Sequence, residues 1–202
     1  MPDVEKPRRG FHMQISIKSE SDKEIQFVLD DATIGFANLL RRYCINSIPT
    51  FAIEEVSIYE NSSSFFDEYI AHRLGLIPLT TPAKALKNEE VTLMLDAEGP
   101  GVTYSKDLKS TSKDVMPVSD KIPLLKLLEE QKVRIEAKAV VGIGKQHAKF
   151  QPGIVSYGYE KDGEFNFFIE SYGQMKAKDI LKTALEKIEE NAEEIEKQLE
   201  KA

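Results

Sequence analysis

The chain has 202 residues, 41% of them hydrophobic and 30% charged, and acids outnumber bases to a net charge of −7. That length suffices for one large domain or two small ones and buries roughly 70% of the surface an unfolded chain exposes. The negative field argues against a dedicated nucleic-acid binder, which needs clustered Lys and Arg. It leaves room for a protein that works inside a nucleic-acid machine without touching the phosphates. Cys44 is the only cysteine, which excludes a disulfide framework, a Cys-rich zinc site and an all-cysteine iron–sulfur cluster within the chain. No segment approaches the roughly 18 uninterrupted apolar residues of a spanning helix. The basic start, MPDVEKPRRGF, lacks the apolar stretch of a signal peptide, so the expectation is a soluble, cytoplasmic protein.

Strict alternation from Phe11 to Lys18 puts Phe11, Met13, Ile15 and Ile17 on one face, and a second run follows from Ile25 to Leu29. Two such runs joined by the polar stretch Ser19 to Lys23 predict a β-hairpin buried on one side. Asp30, Asp31 and Thr33 offer N-caps, and Ile34, Leu39, Leu40, Cys44 and Ile48 then recur at roughly helical spacing until Pro49. Phe51 to Tyr59 reads as a strand. Ser64 with Asp67 resembles a capping box opening a short helix toward Gly75. Residues 80–122 are the least legible, with a strand at Val91–Leu95 and a turn at Gly99-Pro-Gly101. Alternation returns from Val133 to Val141, and Phe165–Ile169 is the last strand, after the turn Lys161-Asp-Gly-Glu164.

The tail is the plainest element. From Lys176 there is neither Gly nor Pro, while Leu181, Ile188 and Ile195, and likewise Leu185, Ala192 and Leu199, stand a heptad apart. A helix running to the end of the chain spans about 40 Å at roughly 1.5 Å per residue, more than a domain this size needs for its own core. Its stripe is expected to continue into a partner or another helix of this chain. Seven glutamates against three lysines from Thr183 onward are explained by a solvated face on that helix.

Residues able to carry chemistry are few. His12, His72 and His147 form no metal-binding spacing, and no nucleophile constellation accompanies His72 or His147. Ser62, Ser63 and Ser64 lack a nucleophile-elbow context, and Gly142-Ile-Gly144 is too short for a dinucleotide fingerprint. Cys44 sits on the apolar stripe, where cysteine packs. The adjacent Arg41 and Arg42 lie about 100° apart on a helix, so they cannot both share that stripe. Either a solvated pair or bidentate contacts with carboxylates on a partner protein fits them.

Leu29-Asp-Asp-Ala-Thr-Ile-Gly-Phe-Ala-Asn-Leu-Leu-Arg-Arg42, continued by Ile48-Pro-Thr-Phe-Ala-Ile-Glu-Glu-Val56, resembles the α-type motif of multisubunit RNA polymerases. Tyr59-Glu-Asn-Ser-Ser-Ser64 and Ala71-His-Arg-Leu-Gly-Leu-Ile-Pro-Leu79 are similar to its archaeal and eukaryotic branch. His147-Ala-Lys-Phe-Gln-Pro152, with Phe150 where Trp is usual, and Phe168-Ile-Glu-Ser171 look like later blocks in the expected order. On these blocks the chain is identified as a member of the archaeal α-like (D-type) family of DNA-directed RNA polymerase subunits.

The resemblance implies an α+β fold with a discontinuous α-subunit-type dimerisation domain, an antiparallel sheet plus two long helices, from residues 1–49 and 155–202. Residues 50–154 would form an inserted, mainly-β domain. It implies a non-catalytic assembly subunit of a nucleotidyltransferase complex that pairs with subunit L. That pair is the platform for the second-largest subunit and the small subunits N and P, with little or no nucleic-acid contact. Phe36, Leu39, Leu40 and Tyr43, with Leu181, Leu185, Ile188 and Ile195, would be apolar surface left over for subunit L. Arg41 and Arg42 would face the second-largest subunit. Many archaeal members carry a cysteine-rich, ferredoxin-like insert before the Phe168 block, and the eukaryotic counterpart has a cysteine zinc loop. Here Tyr157 to Glu164 runs straight through without cysteine, so neither iron–sulfur cluster nor zinc is expected. A free-standing homodimeric adaptor held by the tail helix, and a hydrolase using His72 or His147, are the rival readings.

Overall fold

The computed structural model describes residues 13–82 and 89–201. Within them the order is β1 (Gln14–Glu20), β2 (Glu24–Asp30), α1 (Ile34–Asn46), β3 (Pro49–Asn61), α2 (Asp67–Gly75) and β4 (Glu90–Glu98). Then come β5 (Gly101–Tyr104), β6 (Lys109–Ser110), β7 (Pro123–Leu127), β8 (Lys132–Ile143), β9 (Gly153–Lys161), β10 (Glu164–Ser171) and α3 (Ala177–Leu199). The strands sort into a four-stranded sheet of order β1-β2-β10-β9, a second of order β3-β8-β4-β6, and the ribbon β5-β7. Every pairing is antiparallel, so the fold is α+β. The chain's two ends build the first sheet and its middle builds the second. No helix among the described residues is long and apolar enough to cross a membrane.

Each sheet owns a core. In the first, Ile25, Phe27 and Leu29 of β2 face Phe165, Phe167 and Ile169 of β10. The Phe27 and Phe167 rings stack at 4.9 Å. Ala37, Leu40 and Cys44 of α1, and Ala177, Ile180, Leu181 and Ala184 of α3, close this core from above. Alternation is what allows it, because period-2 residues share a face while i, i+3, i+7 residues share a helical stripe. In the second, β8 carries Val133, Ile135, Ala137 and Ala139 inward against Phe51 and Ile53 of β3, Leu93 of β4, and Ile70 and Leu74 of α2.

Buried polar contacts brace the edge of the middle sheet where it meets the end sheet, and one of them crosses between the two. Thr50 Oγ1 donates to the Phe150 carbonyl at 2.7 Å, and the Phe51 amide donates to Thr81 Oγ1 at 3.0 Å. The Thr81 amide in turn donates to the Gln174 carbonyl at 2.8 Å. Gly142 lies under the Phe150 ring, where a Cβ would meet ring carbon at 2.6 Å. Lys149 ties the turn after β8 to β3: its Nζ pairs with Glu54 and donates to the Ile53 carbonyl at 2.9 Å.

Several elements differ from the expectations set by the sequence. The first strand begins at Gln14, and Phe11 lies outside the described residues. Ile15 and Ile17 pair with Leu29 and Phe27 and so share the core face, yet both are half exposed. The helices pack chiefly over β2, β9 and β10, and α3 meets the edge strand through the exposed Lys178–Glu20 ion pair at 3.0 Å, so the hairpin is not buried along its outer strand. In α1 the buried stripe is Ala37, Leu40 and Cys44, while Ile34 and Leu39 point outward. Thr33 caps α1 by accepting the Phe36 amide at 3.2 Å.

No Ser64–Asp67 capping box forms at α2. Its N-cap is Phe66, and the Asn61 amide group donates instead to Asp67 Oδ1 at 2.6 Å and to the Phe65 carbonyl at 2.9 Å. Strand β9 has no clean sequence signal because Gly, Ser and Tyr dilute its alternation, and β5, β6 and β7 have none because they are short. The turn from β9 to β10 rests on Gly163 at φ +81°, a conformation that glycine reaches without steric cost.

Candidate functional site

Burial along α3 divides the helix in two. Its first two turns bury Ala177, Ile180, Leu181 and Ala184, and then cover ends: Leu185 is 41% exposed, Ile188 is half-buried, and Ile195 is 60% exposed. On α1, Phe36 and Tyr43 are half-buried and Leu39 is 39% exposed. The expected surface stripe is corrected at two positions. Leu40 is 1% and Leu181 7% exposed, because both pack into the cluster of β2, β9 and β10 side chains and complete the chain's own core. The structure adds Ile15, Ile17 and Ile34, all substantially exposed. Sequence patterning assigns them to the core, and only their position on an edge strand and in a first helical turn marks them otherwise.

Beside this apolar surface lies a cleft of about 1170 Å³ between α1, the turn after β8 and α3. Arg42, Tyr43 and Asn38 of α1 line one wall, Lys145 and Gln146 another, and Lys187 and Asn191 the third. The turn is held to the end of α1 by the Lys145 amide donating to the Asn46 carbonyl at 3.0 Å. Gly144 packs so closely on the Ile45 carbonyl that a Cβ would come within 2.3 Å. Asn191 donates to the Tyr43 hydroxyl at 2.9 Å, closing the cleft where the helices meet. The two arginines part company here. Arg41 donates to Asn38 Oδ1 at 2.9 Å along its own helix, whereas Arg42 lines the cleft.

The groups considered for chemistry take structural roles. His147 Nδ1 accepts the Lys149 amide at 3.1 Å and starts the short turn over residues 148–150, while His72 lies exposed on α2. His12 lies outside the described residues. Ser63 Oγ donates to Asn61 Oδ1 at 2.6 Å within the turn before α2. Burial pushes the Cys44 thiol up to about 12, so it is a packing group and not a nucleophile. Among the described residues no group of three or more His, Cys, Asp or Glu is placed to hold a metal ion.

An α+β chain with its terminal strands in one sheet, two helices laid over it and apolar helix surface uncovered is of the α-subunit type. The family model for the RNA polymerase Rpb3/RpoA insert domain matches residues 56–155. The chain is 46% identical over 183 residues to the DNA-directed RNA polymerase subunit Rpo3 of Methanocaldococcus jannaschii, covering 91% of this chain and 94% of that one. It is 49% identical over 154 residues to the protein of the same name from Pyrococcus furiosus, a match covering 73% of this chain but 59% of the relative's length. The Thermococcus kodakarensis protein is similar at 47% identity, with 60% of its length covered. The chain belongs to the archaeal DNA-directed RNA polymerase subunit Rpo3 family.

Proposed function

We propose that the chain is a non-catalytic assembly subunit of RNA polymerase that pairs with subunit L and then receives the second-largest subunit and subunits N and P. One observation carries the reading: α3 runs on past its own core with Leu185, Ile195 and Leu199 exposed and Ile188 half-buried at the core's edge. Leu39, Phe36 and Tyr43 of α1 extend the apolar surface, and Ile15 and Ile17 add half-exposed apolar area on the edge strand of the same sheet. Apolar surface left uncovered in this way marks a protein–protein interface. An obligate interface of this kind buries on the order of 2,000 Å² in total. Leu40 and Leu181 act from beneath, fixing the two helices at the spacing a partner meets. Arg42 is the cation offered to the second-largest subunit, since Arg41 is engaged with Asn38.

In this reading residues 1–49 and 155–202 form the dimerisation domain, residues 50–154 the inserted one, and the protein works in the cytoplasm. It carries neither iron–sulfur cluster nor zinc, because such sites take several thiolates and its one cysteine is buried and protonated. Co-expression with subunit L, followed by light scattering, tests the assignment. A 1:1 heterodimer that Leu185→Glu with Ile195→Glu abolishes is the expected result, and a stable homodimer indifferent to subunit L would overturn it. Arg42→Ala should leave the pair intact and reduce recruitment of the second-largest subunit.

A further inference from the structure

At the far end of the second sheet, two loops are braced together and present apolar side chains to solvent. Ser62 and Lys132 join the loops through a pair of hydrogen bonds, Ser62 amide to Lys132 carbonyl at 3.0 Å and Lys132 amide to Ser62 Oγ at 2.7 Å. Gln131 adds to the brace: its Oε1 accepts the Leu128 amide at 2.8 Å and its Nε2 donates toward Ser64 Oγ at 3.4 Å. At the tips Phe66 is 80% exposed and Leu128 more than half exposed. An apolar ring left this open on a fixed support gains nothing from the chain's own folding.

The charges around these tips are nearly all of one sign. Asp67 and Glu68 follow Phe66, and Glu129 and Glu130 follow Leu128, all four exposed. The first cation after Leu128 in the chain, Lys132, is already paired with Glu98 at 3.0 Å. Neither Glu68 nor Glu129 forms an ion pair with a cation among the described residues. A carboxylate rim repels nucleic acid and anionic lipid, and it favours a protein surface that carries an apolar pocket edged by Lys or Arg.

We infer that the Phe66–Leu128 tip is a second docking point, taking a basic partner subunit whose apolar pocket receives Phe66. It lies in the other sheet from the α1–α3 surface and serves a different partner face. The inference rests on the assembly reading above, and its test separates the two. A polymerase is reconstituted from recombinant subunits with the full chain carrying photoreactive p-benzoylphenylalanine in place of Phe66, then irradiated and digested. The expected product is one dominant crosslink to a Lys/Arg-rich segment of a neighbouring subunit. Glu68→Lys with Glu129→Lys should reduce its yield at least about fivefold while pairing with subunit L persists, as loss of charge complementarity predicts. Incorporation of the chain with no crosslink, or with one to a segment lacking excess Lys and Arg, overturns this inference alone. Failure of the unsubstituted chain to incorporate overturns the assembly reading and this inference together.

Discussion

The sheet built from the middle of the chain and the sheet built from its ends treat their outer surfaces in opposite ways. On the middle sheet the solvent face of β8 is written in charge, with Lys132 paired to Glu98 at 3.0 Å, Lys138 to Glu90 at 2.8 Å and Arg134 to Glu60 at 3.4 Å. Each exposed pair adds little stability, but together they keep an open sheet face wet and unattractive to neighbours. On the end sheet, β1 leaves Ile15 and Ile17 half exposed, and the helices over the sheet leave Leu39, Leu185 and Ile195 exposed. A surface meant for water is marked by alternating charge, and one meant to be covered is left apolar.

The largest effect that could break this contrast comes from one pair of substitutions. Leu40→Ala should cost about 2–5 kcal/mol of unfolding free energy, since it empties a fully enclosed site. Ile195→Ala should change the stability of the isolated chain by less than about 0.5 kcal/mol. Urea unfolding of both variants measures the difference, and equal costs would mean that the free end of α3 is covered by the chain itself. Of intermediate size is Gly142→Ala, which drives a Cβ into the Phe150 ring and should cost about 1–3 kcal/mol through overpacking. Gly158→Ala, where a Cβ meets nothing within 4 Å, is the control in the end sheet.

The smallest effect is electrostatic. A hydrogen bond from Lys161 holds the Glu164 carboxyl below its ordinary value of 4.5. A carboxyl depressed in the folded state adds stability above its unfolded pKa, and that contribution disappears as pH falls through the lower folded value. Glu164→Gln should therefore flatten the fall in urea midpoint between about pH 5 and pH 3. Identical slopes for the two proteins would show the pair to be idle.

Much of the fold is legible in the residues themselves. Alternation locates β2, β8 and β10, helix-forming composition locates α3, and Thr33 marks the start of α1. The site is legible in part. A heptad stripe shows that residues share a face but not where burial stops along it, so Leu181 and Ile195 look alike in sequence and differ in the fold. Period-2 spacing likewise puts Ile15 and Ile17 on the right face without revealing that they stay half exposed on the edge strand. The start of α2 misleads because Asn61, six residues before Asp67, engages the carboxylate that a capping box would have used. The cleft beside Arg42 has no sequence signature, since its walls come from α1, the turn after β8 and α3.

The joint between the sheets has a mechanical consequence. The chain crosses it only near residues 48–49 and 152–153, yet the Thr81 amide donates to the Gln174 carbonyl, the Lys145 amide to the Asn46 carbonyl, and Gly144 and Gly173 pack closely on Ile45 and Val118 across it. A joint fastened at so many points behaves as a weld, not a hinge. The free end of α3 and the Phe66 tip are then held at one fixed separation, like the two faces of a machinist's gauge. Whatever seats at one end finds the position of the other already set.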